Sequence, residues 1–271
     1  GRYTEIKIYP FSFTEALELK NDLNSTNEKI DENDFFQEYL EYGGIPLVLQ
    51  LNLDDRKNYL RDLYNSIVLK DILQRRKIRE VDLFDKIINF LIDNIGQTFS
   101  AKSISKYFKS ENRDVSRDTI YNYLIYLQEA CLINKVQRKD LGGKKILKIS
   151  EKYYLTDHGF NETIFEKNMK NIAQVLENIV YMEFLRRGYK IYVGKLNGNE
   201  IDFVCQKNST TIYVQVSYIL SSEKTIEREI TPLLKIKDNY EKLLITMDQV
   251  DFSQQGIKHL NIIDFLKSDE F

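Results

Sequence analysis

Several things are scarce in this sequence of 271 residues. There are only two cysteines, Cys131 and Cys205, far apart and in apolar settings, which argues against a disulfide framework and fits a reducing cytoplasm. The two histidines, His158 and His259, give no zinc-ligand spacing with them and leave little for a Ser-His-Asp or Cys-His hydrolase. Asp157 and His158 are neighbours and read as a turn pair rather than as catalysts. Three prolines provide no Pro-rich linker. No apolar run approaches the roughly 20 residues that span a bilayer; the longest, Ile45 to Leu49, reads as a buried element. The chain opens with Gly1-Arg2-Tyr3, without an initiator Met or an apolar leader, and this opening reads as the interior of something larger. Neither Gly-x-x-x-x-Gly-Lys-Ser/Thr nor Gly-x-Gly-x-x-Gly occurs, so a nucleoside triphosphate is not cradled in the P-loop manner.

What remains is ordinary for a folded chain, with 42% hydrophobic and 30% charged residues. The alternation Glu5-Ile6-Lys7-Ile8 predicts a strand over Thr4 to Tyr9. Ser12 and Glu15 form a capping-box pattern that opens a helix through Leu19, and the polar stretch Asn21 to Asp31 reads as a loop. From Asp34 to Lys77 the period is helical: two helices joined by a tight corner at Gly43-Gly44-Ile45-Pro46, then an amphipathic arm from Asp54 to Gln74.

Residues 84–150 read as three helices followed by two strands around Gly142-Gly143, the order of a winged helix-turn-helix. Residues 171–271 read as helix, three strands, helix, strand and a final helical turn. The fold expected is therefore a mixed α/β, multi-domain one. Residues 1–83 form a helical arm, 84–160 a winged helix-turn-helix and 161–271 an α/β domain with a mixed sheet.

The net charge of −2 hides an uneven distribution. Residues 84–150 carry twelve Lys and Arg against seven Asp and Glu, a surplus that suits duplex DNA. Arg117 and Asn122 on the outer face of the third helix, with Arg138, Lys139, Lys144 and Lys145 on the hairpin, are the candidate DNA contacts. Interdomain packing is the equally weighted alternative for this unit.

A second constellation lies on two strands, Glu200-Ile201-Asp202 and Gln215-Val216-Ser217. A metal-dependent nuclease needs acidic oxygens at one sheet end to hold Mg²⁺ and activate water. Asp202, Gln215 and, from the preceding helix, Glu177 are the candidate catalytic residues, with Asp202 and Gln215 the candidate metal ligands. The usual Glu-x-Lys is replaced by Gln-x-Ser, so a lysine is missing; Lys195 and Lys224 are the lysines considered as its replacement. Glu227-Arg228-Glu229 reads as a solvated ion-pair face.

Taken together, Tyr9 to Glu15, Tyr39 to Pro46, Tyr153 to Phe160, Leu176 to Tyr181, Arg186 to Tyr189 and Gly198 to Phe203 resemble the C-terminal part of prokaryotic predicted AAA-type ATPases that carry domain of unknown function 4143. The resemblance implies a restriction-endonuclease-like C-terminal domain. It also implies an upstream ATPase core that binds ATP and Mg²⁺, with Arg2 close to the nucleotide, and no cofactor in the fragment itself. On this reading the chain is a cytoplasmic, DNA-interacting regulatory region of such an ATPase, catalytically inactive and with no membrane contact. Its partners are duplex DNA, the ATPase core and further copies of itself. A Mg²⁺-dependent nuclease with a degenerate site and a protein-interaction module are the two rivals.

Overall fold

A computed structural model describes the chain apart from residues 1, 3, 5, 25–28, 99, 144, 162–171 and 271 and the side chains of residues 148–150. The first described segment departs from expectation. Ile6 to Tyr9 is not a strand: Ile6 and Ile8 are 79% and 91% exposed, because alternation alone supplies no partner edge. Helix α1 (Phe13–Leu23) does begin at the capping box. The Ser12 hydroxyl accepts from the Glu15 N–H at 3.2 Å, and the Glu15 carboxylate accepts from the Ser12 N–H at 2.8 Å.

Helix α2 (Glu32–Tyr42) is capped by Asp31 and stops at Gly43, whose φ of +74° favours glycine. The corner continues through α3 (Pro46–Gln50) into α4 (Leu53–Ser66), which widens to π-helical geometry over Ile67–Gln74. Asp157, far along the chain, stitches this corner down. Its two carboxylate oxygens accept from the Gly44 N–H at 2.9 Å and the Gly159 N–H at 2.8 Å, and His158 Nε2 donates to the Tyr39 carbonyl at 2.6 Å. The Asp157-His158 pair is structural, as a turn pair should be.

Helices α5 (Val81–Asp93), α6 (Ala101–Ser110) and α7 (Arg117–Glu129) follow, the last two opened by side-chain caps from Ser100 and Ser116. Ile87, Ile88, Leu91, Ile104, Phe108, Ile120, Leu124 and Leu127 form their common interior. The hairpin β1 (Ile133–Asp140) and β2 (Lys145–Leu155) is longer than its sequence suggested and does not stand apart. β1 also pairs in parallel with β3 (Lys190–Leu196).

The chain resumes at α8 (Ile172–Arg186) and continues through β3, β4 (Asn199–Lys207), β5 (Thr210–Val216), α9 (Glu223–Leu234), β6 (Glu241–Thr246), β7 (Lys258–Asn261) and α10 (Ile262–Lys267). A single mixed sheet results, in the order β2-β1-β3-β4-β5-β6-β7. Its β1/β2, β3/β4 and β4/β5 pairs are antiparallel; the β1/β3, β5/β6 and β6/β7 pairs are parallel. The mixed α/β class expected from the sequence is what the chain adopts. One face of the sheet shares its apolar core with the arm, the three helices, α8 and α10; α9 packs on the other face over a smaller core. Among the described residues no helix is long and apolar enough to cross a membrane.

Candidate functional site

The functional candidates gather where β4 and β5 part. Their regular ladder ends at the Phe203–Val214 pair, and side chains carry the next steps. The Asp202 N–H donates to Gln215 Oε1 at 2.7 Å, and the Val216 N–H donates to Asp202 Oδ2 at 2.8 Å. Gln215 then donates from Nε2 to Glu229 Oε2 on α9 at 3.3 Å. A register shift in the β3/β4 pairing beyond Gly194–Ile201 turns Asp202 and Phe203 relative to their neighbours. The structure thus brings Asp202 and Gln215 together as expected, and adds Glu229. Of the triplet read as a solvated face, Arg228 is indeed 71% exposed, but Glu229 is buried and belongs to this network.

A lysine reaches this sheet end from another strand. Lys152 of β2, with only 3% of its side chain exposed, donates from Nζ to Glu177 Oε1 at 2.9 Å and pairs with Glu200 Oε1 at 2.8 Å. The Tyr154 hydroxyl donates to the same Glu177 oxygen. Glu200 also receives Arg138 at 3.2 Å and the Thr98 hydroxyl at 3.1 Å. Burial would push the Lys152 pKa down, but Glu177, Asp202 and Glu200 outweigh it and hold the ammonium charged well above the usual lysine range. Burial, followed by the field of Glu177, pushes the Asp202 carboxyl well above the usual carboxylate range, against the pull of Lys152.

Lys152 shares strand parity with Tyr154, and the two side chains meet at the same oxygen of Glu177. Lys195 and Lys224 are exposed instead. The site is also covered. The turn after α5 reaches it through the Gly96 N–H, which donates to the Tyr153 carbonyl at 3.1 Å. A Cβ on Gly96 would lie 3.2 Å from Glu177 Oε2, a tight approach at a φ of +72° that itself favours glycine.

The donors fit a resident cation poorly. Gln215 Oε1 is taken by Asp202, one Glu177 oxygen by Lys152 and Tyr154, and one Asp202 oxygen by Val216. Among the described residues no three His, Cys, Asp or Glu side chains are grouped to hold a metal ion.

The DNA candidates divide. Arg117 and Asn122 are exposed on α7, and Lys145 is exposed at the start of β2. Arg138 is committed to Glu200; Lys139 donates to Gln206 Oε1 at 2.9 Å. Lys144 lies outside the described residues. The sequence reading passed over Lys102, Lys106 and Lys109, whose spacing sets them along one exposed side of α6.

Residues 33–172, more than half of the chain, match a family described as Domain of unknown function (DUF8612). The chain belongs to the DUF8612 family. Two relatives align along nearly all of it. An uncharacterized protein of Haemophilus influenzae is 40% identical over 98% of this chain, and the uncharacterized protein MJ1544 of Methanocaldococcus jannaschii is 28% identical over 97%. The chain spans 65% and 60% of their respective lengths. No solved structure matches it. These matches overturn the resemblance to AAA-type ATPases with domain of unknown function 4143. An upstream ATPase core with its ATP, and a place for Arg2 beside that nucleotide, were implied by that resemblance alone; Arg2 is exposed.

Proposed function

We propose that this DUF8612 protein binds duplex DNA through α6, α7 and the exposed end of the β1–β2 hairpin. The proposed unit is a winged helix-turn-helix with α7 as the helix that enters the major groove. The observation that carries the reading is the row Lys102, Lys106 and Lys109 on α6, exposed in the same unit as Arg117 and Asn122. Lysines so placed meet phosphates, while Arg117 and Asn122 carry the bidentate groups that read base edges.

We read the adjoining α/β part as a nuclease-like scaffold that does not cleave. The close approach of Gly96 to Glu177, with the committed oxygens of Asp202 and Gln215, supports this. The competing reading, a Mg²⁺-dependent nuclease, draws on Lys152, which sets an ammonium beside Glu177 in the field of Asp202. Incubation of the protein with supercoiled plasmid and Mg²⁺ or Mn²⁺ separates the two. Intact plasmid is expected, whereas cleavage abolished by Asp202→Ala establishes the nuclease instead. The two cysteines are unpaired, and we place the protein in a reducing cytoplasm.

A further inference from the structure

The faces of the sheet are covered unequally, and past the C-terminal end of α9 its second face opens into a groove of about 750 Å³. Leu141, Leu196, Val204, Tyr213 and Ile236 give it an apolar lining, and Val204 and Tyr213 belong to the smaller core. The rim carries three lysines, Lys139, Lys235 and Lys237.

Lys139 is preset: Gln206 accepts from its ammonium, and that ammonium lies 5.2 Å from the centre of the Tyr192 ring. Lys235 and Lys237 are exposed and make no ion pair among the described residues. The groove's carboxylate, Asp238, is occupied, since it accepts from the Tyr213 hydroxyl at 2.7 Å and the Tyr240 N–H at 3.2 Å. Three ammonium groups stand against this one carboxylate, so positive charge is in excess. Tyr240 stands at the edge with nearly half of its surface exposed, its ring 6.4 Å from that of Tyr213 and inclined by 58°.

Ammonium groups on the rim, an apolar floor and an exposed ring at one end ask for a ligand that is anionic at one side and flat and aromatic at the other. A peptide of acidic residues alone lacks the second property. We propose that this groove binds a nucleotide, its phosphates on Lys235, Lys237 and Lys139 and its base against Tyr240. The same chemistry is offered by a free nucleotide and by the nucleotides of a single strand. The groove shares Leu141 and Gly142 with the hairpin end but no residue with α6 or α7, so the proposal does not rest on duplex binding by those helices.

Calorimetric titration of the full chain at low salt tests it, with ATP in the absence of metal, inorganic triphosphate, hexathymidylate and a hexaglutamate peptide as probes. Saturable binding of ATP or hexathymidylate is expected, and whichever binds more tightly identifies the source. Lys235→Ala with Lys237→Ala should weaken both about tenfold or more. Tyr240→Ala should weaken ATP and hexathymidylate by about fivefold or more while leaving inorganic triphosphate unchanged. Absence of saturation with both nucleotides, affinities unmoved by the groove substitutions, or hexaglutamate binding as well as ATP would each overturn the assignment.

Discussion

Replacing Lys152 with Met tests the network at the sheet end most sharply. Met keeps the length and packing of the stem and removes the ammonium that bridges Glu177 and Glu200. Taking one partner from a buried pair typically costs about 3–5 kcal/mol, because the other charge stays buried without compensation. The Glu200 half contributes little of this, since that side chain is about one-third exposed and also paired to Arg138. The Glu177 half dominates, with 13% of its side chain exposed and Asp202 close enough to repel it. A loss of about 3 kcal/mol is expected in urea unfolding at pH 7. The pH matters. A lysine whose folded pKa is raised stabilises fully below its unfolded pKa of about 10.4, so the whole effect is present at neutral pH and fades only in strong base. The double variant Lys152→Met with Glu177→Gln should recover about 2 kcal/mol of the loss, by removing the stranded carboxylate. A cost below about 1 kcal/mol for Lys152→Met, or no recovery in the double variant, would refute the reasoning.

Other consequences can be measured in the same way. The environment of Asp202 disfavours its ionised form, so Asp202→Asn should raise the urea midpoint at pH 7 while its amide oxygen still accepts from Val216; a fall of the midpoint would show that the charge is needed. Gly43→Ala would set a Cβ 1.8 Å from Asp157 Oδ1 at a φ of +74°, and should cost about 2 kcal/mol or more; an unchanged melting temperature contradicts it. Burial lowers the pKa of both His158 and His259, so each group binds a proton in the unfolded chain before it does in the folded one. Stability is therefore lost as pH falls below about 6.5, by at most about 1.4 kcal/mol per pH unit for each histidine. Replacing both with Gln should flatten that slope relative to the native chain, and an identical slope would exclude the histidines as its source.

Much of the helical part was legible because local signals agree. Ser100 and Ser116 mark helix starts, and the Ile, Leu and Phe spacing of α5 to α7 has one period throughout. The α8 and β3 to β5 sequence was readable for the same reason, and it correctly brought Asp202 towards Gln215. Three features escaped. Ile6 and Ile8 alternate like a strand yet meet no neighbour, since pairing is a tertiary property. β2 extends through Glu151 and Lys152, two charged residues that are buried only because Lys135 and Glu177 neutralise them. β7 holds just four residues, with His259 turned inward to Thr246, and such a short run carries too little period to be seen. The site's lysine was missed for the second reason: a buried lysine is intelligible only with its carboxylates in view.

Duplex binding by α6 and α7 is tested by the salt dependence of affinity. Each phosphate neutralised contributes about −0.9 to the slope of log K against log salt concentration. For a 20-base-pair duplex, a slope of about −3 or steeper is expected, reduced by about 2 in Lys102→Ala with Lys106→Ala. Absence of binding at low salt, or a slope that the double substitution leaves unchanged, would contradict it.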